Sequence, residues 1–403
     1  MPSTTRRRLL GAGAALAAGA YAARRLDRGA LDASFASWTP DPGTWPLRRY
    51  DPANTAYNPT ARPPREPPTV RERRSVATGG RRPRFALLVG HDYLVLHGSG
   101  LAVYPRDGGE AARLDPVDAP FAGLGPDGRL HATRTVGDGP DPSLSLASYA
   151  PDLAVSARRS LGTDDPAGLT VGARGVCVGT ESGRIVGLTP ANGRRWQVDG
   201  ARPALADGRL YAADASLDGV VAYAERSGLD RRLTPGPARV WSAGPTDGFP
   251  ALPAVADGRV VVGSRAADGG VLRAIDAATG EELWTPRSLG QSVSTPAVVG
   301  DRGYAAVGAD DRTTGSVVAV DLATGETVWR DATEWSPASA AVGGETLVVA
   351  GGVDPDGGRV RAYDRANGDV YWTRDLPARA PDGLALVGER VLATVGASLY
   401  ELA

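Results

Sequence analysis

The side chains of this 403-residue chain that could do chemistry are few: three histidines, one cysteine and a periodic set of acidic and tryptophan residues. A zinc site needs imidazole, thiolate or carboxylate ligands at tight spacing. His91, His97 and His131 have no such spacing, so no metal site is expected. Cys177 sits inside Gly175-Val176-Cys177-Val178-Gly179, an apolar strand-like run, and reads as a small buried hydrophobe. A single cysteine also forbids an intramolecular disulfide. The acidic stretch Asp354-Pro355-Asp356-Gly357-Gly358 resembles the start of a calcium loop but lacks the twelfth-position glutamate, and reads as a hairpin turn. All 45 basic residues are arginine, so a phosphate loop with its lysine is impossible, and no GxSxG elbow occurs.

The remaining acidic and aromatic residues fall into one pattern. Ala274 to Trp284 (AIDAATGEELW) recurs as Ala319 to Trp329 (AVDLATGETVW) and as Ala362 to Trp372 (AYDRANGDVYW), at spacings of 45 and 43 residues. A period in that range marks a stacked or radial repeat, each unit being one supersecondary piece that cannot bury its apolar face alone. Chemistry requires groups gathered at one place, whereas a periodic set is dispersed. The pattern is therefore read as structural. Asp276, Asp321 and Asp364 end a strand and accept from backbone amides of the following turn, and Gly280, Gly325 and Gly368 supply its positive φ. Trp284, Trp329, Trp372 and the related Trp196 are expected to end outer strands and fill the wedge between units.

Four strands per unit position these residues. Pro253 to Gly263 (PAVADGRVVVG) is a hairpin with an Asp-Gly turn, and equivalent hairpins start near Phe85, Phe121, Leu169, Pro203, Pro296, Ala338 and Leu384, which makes eight. A third strand carries the motif alanine, weakened to Gly187 in one unit, and the fourth follows the glycine. The last unit ends at Ala403 without room for its fourth strand, and Val70 to Val76 is expected to supply it. The fold class expected is all-β: an eight-bladed β-propeller of four-stranded antiparallel blades, closed by an N-terminal strand.

Composition agrees with many turns and short strands, with 53 glycines, 32 prolines and 42% hydrophobic residues. The formal charge of −1 gives no electrostatic reason to expect nucleic acid. Residues 1–25 read as a signal peptide or anchor. Thr5-Arg6-Arg7-Arg8-Leu9-Leu10 resembles a twin-arginine (Tat) motif, an alanine-rich run of about 15 residues is short for a membrane span, and Ala20-Tyr21-Ala22 is a cleavage candidate. An uncleaved N-terminal membrane anchor is the alternative. Residues 26–68 form a proline-rich arm, within which Trp45 to Pro59 (WPLRRYDPANTAYNP) is too specific for a plain linker and is expected to dock its aromatic side chains on the body. Residues 69–403 form the propeller.

The motif AxDxxTGExxW, the hairpins and the WPLRRYDPANTAYNP segment together resemble the pyrroloquinoline-quinone-type (PQQ-like) β-propeller repeat family. The likeness covers roughly residues 45–403, is strong over 250–375 and weak over 85–235, and is nearest to the family's non-enzymatic BamB-like scaffold branch. The enzymatic branch implied by the same resemblance, the quinoprotein dehydrogenases, holds its quinone in an axial funnel with calcium, a floor tryptophan, commonly a disulfide of adjacent cysteines, and an aspartate base. This chain has no such cysteine pair, and no cofactor is expected.

The resulting functional expectation is an exported, extracytoplasmic, non-catalytic propeller, cell-surface or secreted and monomeric, that acts as a scaffold for an envelope or extracellular protein. A PQQ-dependent alcohol or sugar dehydrogenase and a carbohydrate-binding propeller are the alternatives. The loops entering the innermost strands, Asp247 to Pro250, Gln291 to Thr295 and Glu334 to Pro337, should crowd one mouth of the channel. The partner-binding candidates there are Phe249, Gln291, Glu334 and Trp335, with Phe249 and Trp335 as exposed aromatic contacts.

Overall fold

The structure is a computed structural model. It describes residues 35–403 apart from 76–83, 107–111, 116–117, 137–142, 151, 190, 192, 215–218, 227–235, 245–247, 310–312, 354–356 and 378–380. The expected signal segment, the residues Asp354 to Asp356 of the acidic turn, and Asp247 lie outside the described residues.

The described chain is all β, with no helix among the described residues. Antiparallel four-stranded sheets recur along it. Phe85–Val89, Tyr93–Gly98, Gly100–Pro105 and Ala112–Asp115 form the first, and 122–163, 166–199 and 202–243 each contribute another. Each expected hairpin start falls within three residues of the first strand of a set. Residues 249–333 form one eight-stranded sheet, in which Ala254–Ala256 and Ala297–Val299 occupy the inner positions. The sheets are fused there because Arg287–Val293 pairs with both Arg259–Asp276 and Arg302–Gly308. Gln291 and Ser292, expected in a loop, are thus part of a strand. At the far end Val70–Ser75 pairs antiparallel with Ser398–Leu402, Val70 opposite Leu402.

The first strands of successive sets lie side by side. Phe85–Val89 neighbours Ala122–Leu124, that strand neighbours Pro166–Gly172, and so on through Arg202–Ala206, Ala254–Ala256, Ala297–Val299, Ser336–Gly343 and Gly383–Val387, which returns to Phe85–Val89. Apolar cores lie between neighbouring sheets. One joins Ala204, Tyr211 and Trp241 to Val255, Val260 and Ile275, and the next joins Val261 and Leu272 to Ala305 and Val318. Alternation along each strand produces this: a side chain on either face meets the adjacent sheet, so both faces are apolar and both are buried.

An inner strand leaves one edge of backbone donors and acceptors facing the axis, an exposed edge that needs covering. The N-terminal arm covers it at one end. Trp45 exchanges both backbone hydrogen bonds with Val89, and the amides of Leu124, Leu205, Val255, Val298 and Val342 donate to the carbonyls of Pro46, Pro52, Ala53, Thr55 and Ala56. Ala173 N–H donates to Ala36 O, and Asn58 Nδ2 donates to Leu386 O at 2.9 Å. About twenty residues of arm therefore bond to every inner strand in turn. Such a tight path needs left-handed backbone, which Tyr50 (φ 74°), Asn54 (φ 60°) and Ala56 (φ 51°) provide. Asn54 tolerates it best, and its Nδ2 bridges Pro203 O and Pro253 O at 3.2 and 3.0 Å. The expected docking of the aromatic arm is observed: Trp45 and Tyr50 are buried with ring centroids 5.2 Å apart.

Candidate functional site

Because the arm closes the end where the inner strands finish, the opposite end, where they begin, is open. A cavity of about 710 Å³ lies there, lined by Phe249, Arg265, Ser292, Ser336 and Pro337, with Arg84 also in the wall. A second cavity of about 270 Å³ shares Ser294 and Ala338 with the first and has Arg48, Arg49 and Asp382 in its lining. Arg48 and Arg49 belong to the arm, so the closing segment also forms the floor of the funnel.

The floor is a cluster of desolvated charges. Arg49 is buried, donates Nη1 to Ala340 O at 3.1 Å and Nη2 to Pro296 O at 2.6 Å, and its Nε has no partner. Burial holds its pKa down to about 9, the Arg48 charge adds to this, and Asp51 opposes it. Arg48 is exposed to the inner cavity, with its Cζ 5.6 Å from the Phe121 ring centroid. Burial lowers its pKa too, with Asp382 opposing. The side chain is both solvent-touched and desolvated because the protein encloses the cavity it enters. Behind it, burial pushes the Asp51 carboxyl up to about 6 against the hydrogen bonds it accepts from Thr55. Burial also holds His97 down to about 4. The convergence of these groups was not legible in the sequence, since it needs the arm to enter the channel.

Of the partner-binding candidates, Phe249 is 71% exposed at the mouth. Glu334 is exposed and Gln291 half-buried. Trp335 corrects the expectation of an exposed ring, being 0% exposed. The strand Ser336–Gly343 starts just beyond it, and the alternation of the strand already operates: Glu334 points out, Trp335 and Pro337 point in. The ring lies under Arg361, whose Cζ is 5.7 Å from its centroid.

The repeat residues sit at joints between neighbouring sheets. Asp276 Oδ1 accepts from the amides of Ala278 and Thr279, Asp321 Oδ1 from those of Ala323 and Thr324, and Asp364 Oδ1 from Ala366. Gly280, Gly325 and Gly368 have φ of 80°, 74° and 83°. The Trp329 and Trp372 positions correct the expectation that the tryptophan ends its strand. They lie near the starts of Thr327–Thr333 and Val370–Leu376, opposite Ala319 and Ala362, with a bulged residue, Val328 or Tyr371, directly before each. Trp196 pairs with Gly187 in the same way, and Trp241, missed in the sequence because a longer stretch of chain separates it from its third strand, pairs with Ala222. The small residue is opposite the indole because the ring lies across it: a Cβ on Gly187 would come within 2.1 Å of Trp196.

The histidines are separate. His91 pairs with Asp41 at 3.0 Å on the arm, His131 is buried with Nδ1 2.6 Å from Ser148 Oγ, and His97 Nδ1 is 3.2 Å from Ala119 O. Cys177 is buried.

Residues 218–400 match the family model described as outer membrane protein assembly factor BamB. No curated protein matches the sequence. Among solved structures, BamB from Moraxella catarrhalis superposes with a TM-score of 0.59 at 16% identity, covering 83% of this chain and 99% of that one. The computationally designed Ika8 protein superposes with a TM-score of 0.60 at 14% identity, covering 80% of this chain and 97% of that one. These likenesses establish the β-propeller fold, and over residues 218–400 the resemblance to PQQ-like repeats of the BamB type is established.

Proposed function

We propose that the chain is an exported propeller of eight blades, with Val70–Ser75 completing the last, that serves as a non-catalytic protein-interaction scaffold outside the cytoplasm. The single observation that carries this reading is the asymmetry of its two ends. One end is sealed by the chain's own arm, which bonds to every inner strand, and the other is an open mouth carrying the most exposed large hydrophobic side chain among the described residues, Phe249. An exposed aromatic beside arginines at the rim is the composition of an interface anchor. The ring of neighbouring inner strands and the pairing of Val70 with Leu402 support the blade count and the closure. The Thr5-to-Leu10 motif supports twin-arginine export, with residues 1–25 as signal or anchor and 26–68 as the arm. The family match to an outer membrane assembly factor supports an envelope protein as partner, and a monomer is the state proposed for the scaffold.

The test is site-specific crosslinking in intact cells from a photoreactive residue at position 249, compared with one at exposed Arg287. A defined envelope protein captured from 249 and lost on Arg265→Glu supports the reading. Stoichiometric quinone uptake with dye reduction, after incubation with PQQ and calcium, overturns it in favour of a dehydrogenase. Saccharide-dependent quenching of tryptophan fluorescence overturns it in favour of a carbohydrate-binding propeller.

A further inference from the structure

We propose that the inner cavity is a binding site for a small multivalent oxyanion, held by the guanidinium of Arg48 with Arg49 behind it. The site is independent of any partner at the mouth.

Three observations lead there. First, the Arg48 guanidinium makes no hydrogen bond or ion pair with a described residue; its neighbours are the Phe121 ring and, at longer range, Asp382. Guanidinium carries five donors in a planar fork that matches carboxylate and phosphate oxygens. The fork faces the cavity and is wetted there, so its donors are open to an anion's oxygens in place of water. Second, Arg49 beside it is 8% exposed, and although two of its nitrogens bond to carbonyls, its Nε has no partner. Third, among the described residues the lining of the two adjoining cavities has four arginines, Arg48, Arg49, Arg84 and Arg265, against one carboxylate, Asp382. Asp51 lies behind the floor and interacts with Arg49, so it tempers the cluster without lining the cavity. A cleft lined mainly by one sign of charge and walled by protein concentrates counter-ions.

Size and composition restrict the ligand. The inner cavity of about 270 Å³ falls just under the ~300–1,000 Å³ of pockets for drug-sized ligands. The ligand is therefore a small anion rather than a chain segment. Ser294, Thr295 and Ser339 supply hydroxyls in the same wall, which suits a ligand with several oxygens. An organic polycarboxylate and inorganic phosphate share this chemistry.

The experiment is isothermal titration of the full chain, at low salt and pH 7, with citrate, inorganic phosphate and neutral glucose. One site per chain for citrate or phosphate, and none for glucose, is expected. Citrate without phosphate identifies an organic carboxylate as the source, and phosphate without citrate the inorganic ion. Arg48→Gln should weaken binding at least tenfold, which is about 1.4 kcal/mol. Asp382→Asn should strengthen it several-fold, and Arg287→Gln on the outer surface should leave it unchanged. If Arg48→Gln does not fold, Asp382→Asn decides alone, and binding that is unchanged or weaker in it overturns the proposal. Absence of saturable binding of either anion to the wild-type chain, or binding indifferent to Arg48→Gln in a folded variant, also overturns it.

Discussion

The indole N–H of Trp284 donates to the carbonyl of Leu322 at 3.0 Å, reaching from one repeat unit to the turn of the next. Its ring covers Gly325, where an added Cβ would stand 2.6 Å from the indole. The relationship recurs. Trp241 donates to Ala277 O over Gly280, and Trp329 to Arg365 O over Gly368. Trp372, which has no following motif, donates instead to Pro64 of the arm at 2.8 Å. The motif glycine therefore answers two demands at once, a left-handed φ and a flat seat for the preceding unit's tryptophan.

Gly325→Ala separates these demands when set beside Gly258→Ala. Gly258 has nearly the same φ, 72°, but open space around its Cα. Its alanine should cost only the left-handed penalty, about 1–2 kcal/mol. Gly325→Ala should cost about 2 kcal/mol more, as a displaced indole adds the strain of overpacking. Urea midpoints of the two variants test this, and equal losses would mean that the tryptophan seat contributes nothing.

Asn54 should be the least replaceable residue of the arm. Asn54→Gly keeps the φ of 60° available but leaves Pro203 O and Pro253 O without their shared donor. A loss of about 1–3 kcal/mol is expected for unsatisfied buried acceptors. Asn54→Ala should lose more, because the strained φ is added. A loss at Asn54→Gly, read from thermal melts, distinguishes hydrogen bonding from a purely conformational role, under which glycine would stay near wild type.

Acid should destabilise the fold between pH 6.5 and 4. His97 and His131 are held down to about 4 by burial. In that window the unfolded chain binds protons on both imidazoles that the native chain does not, so stability falls as pH falls. Asp51 acts oppositely: pushed up from 3.8 to about 6, it keeps a proton in the native state that the unfolded state has lost, so its contribution rises as pH falls through the same range. Two imidazoles against one carboxyl leave a net loss. Asp51→Asn should steepen it and His131→Gln should flatten it. Denaturant midpoints at pH 7, 6, 5 and 4 provide the check, and a wild-type gain in stability on going from pH 6.5 to 5 would sink the assignment.

Phe249 and Trp335 should respond in opposite ways to truncation. Trp335→Ala empties a fully buried site and should cost about 3–5 kcal/mol. Phe249→Ala removes a ring 71% exposed and should stay within about 0.5 kcal/mol of wild type. Calorimetric unfolding of both variants compares them directly, and a large loss at Phe249 would show that the mouth is packed rather than open.

The chain's periodicity alone carried the strands. The hairpin starts near Phe85 and Pro253 and the third strands at Ala319 and Ala362 were legible because strand alternation and turn chemistry are local properties. The aspartate and glycine of each turn were legible for the same reason. The tryptophans were harder. Trp241 lacks the motif that marks its relatives, and what unites it with Trp284 is a contact to a carbonyl about 36 residues downstream. The burial of Trp335 is not legible in the sequence, because it depends on a distant strand that brings Arg361 over its ring.

Sequence by itself determined the repeat, the strand order within each unit and the presence of a specific proline-rich arm, all of which follow from local backbone preference and spacing. Tertiary structure decided where the arm goes. Only when the sheets stand side by side do their free inner edges face one axis, and only there do the carbonyls of Pro46 to Ala56 find those amides. The same placement turns Arg48 and Arg49, two ordinary arginines in sequence, into the desolvated floor of a funnel, because desolvation comes from the walls that distant segments build around them.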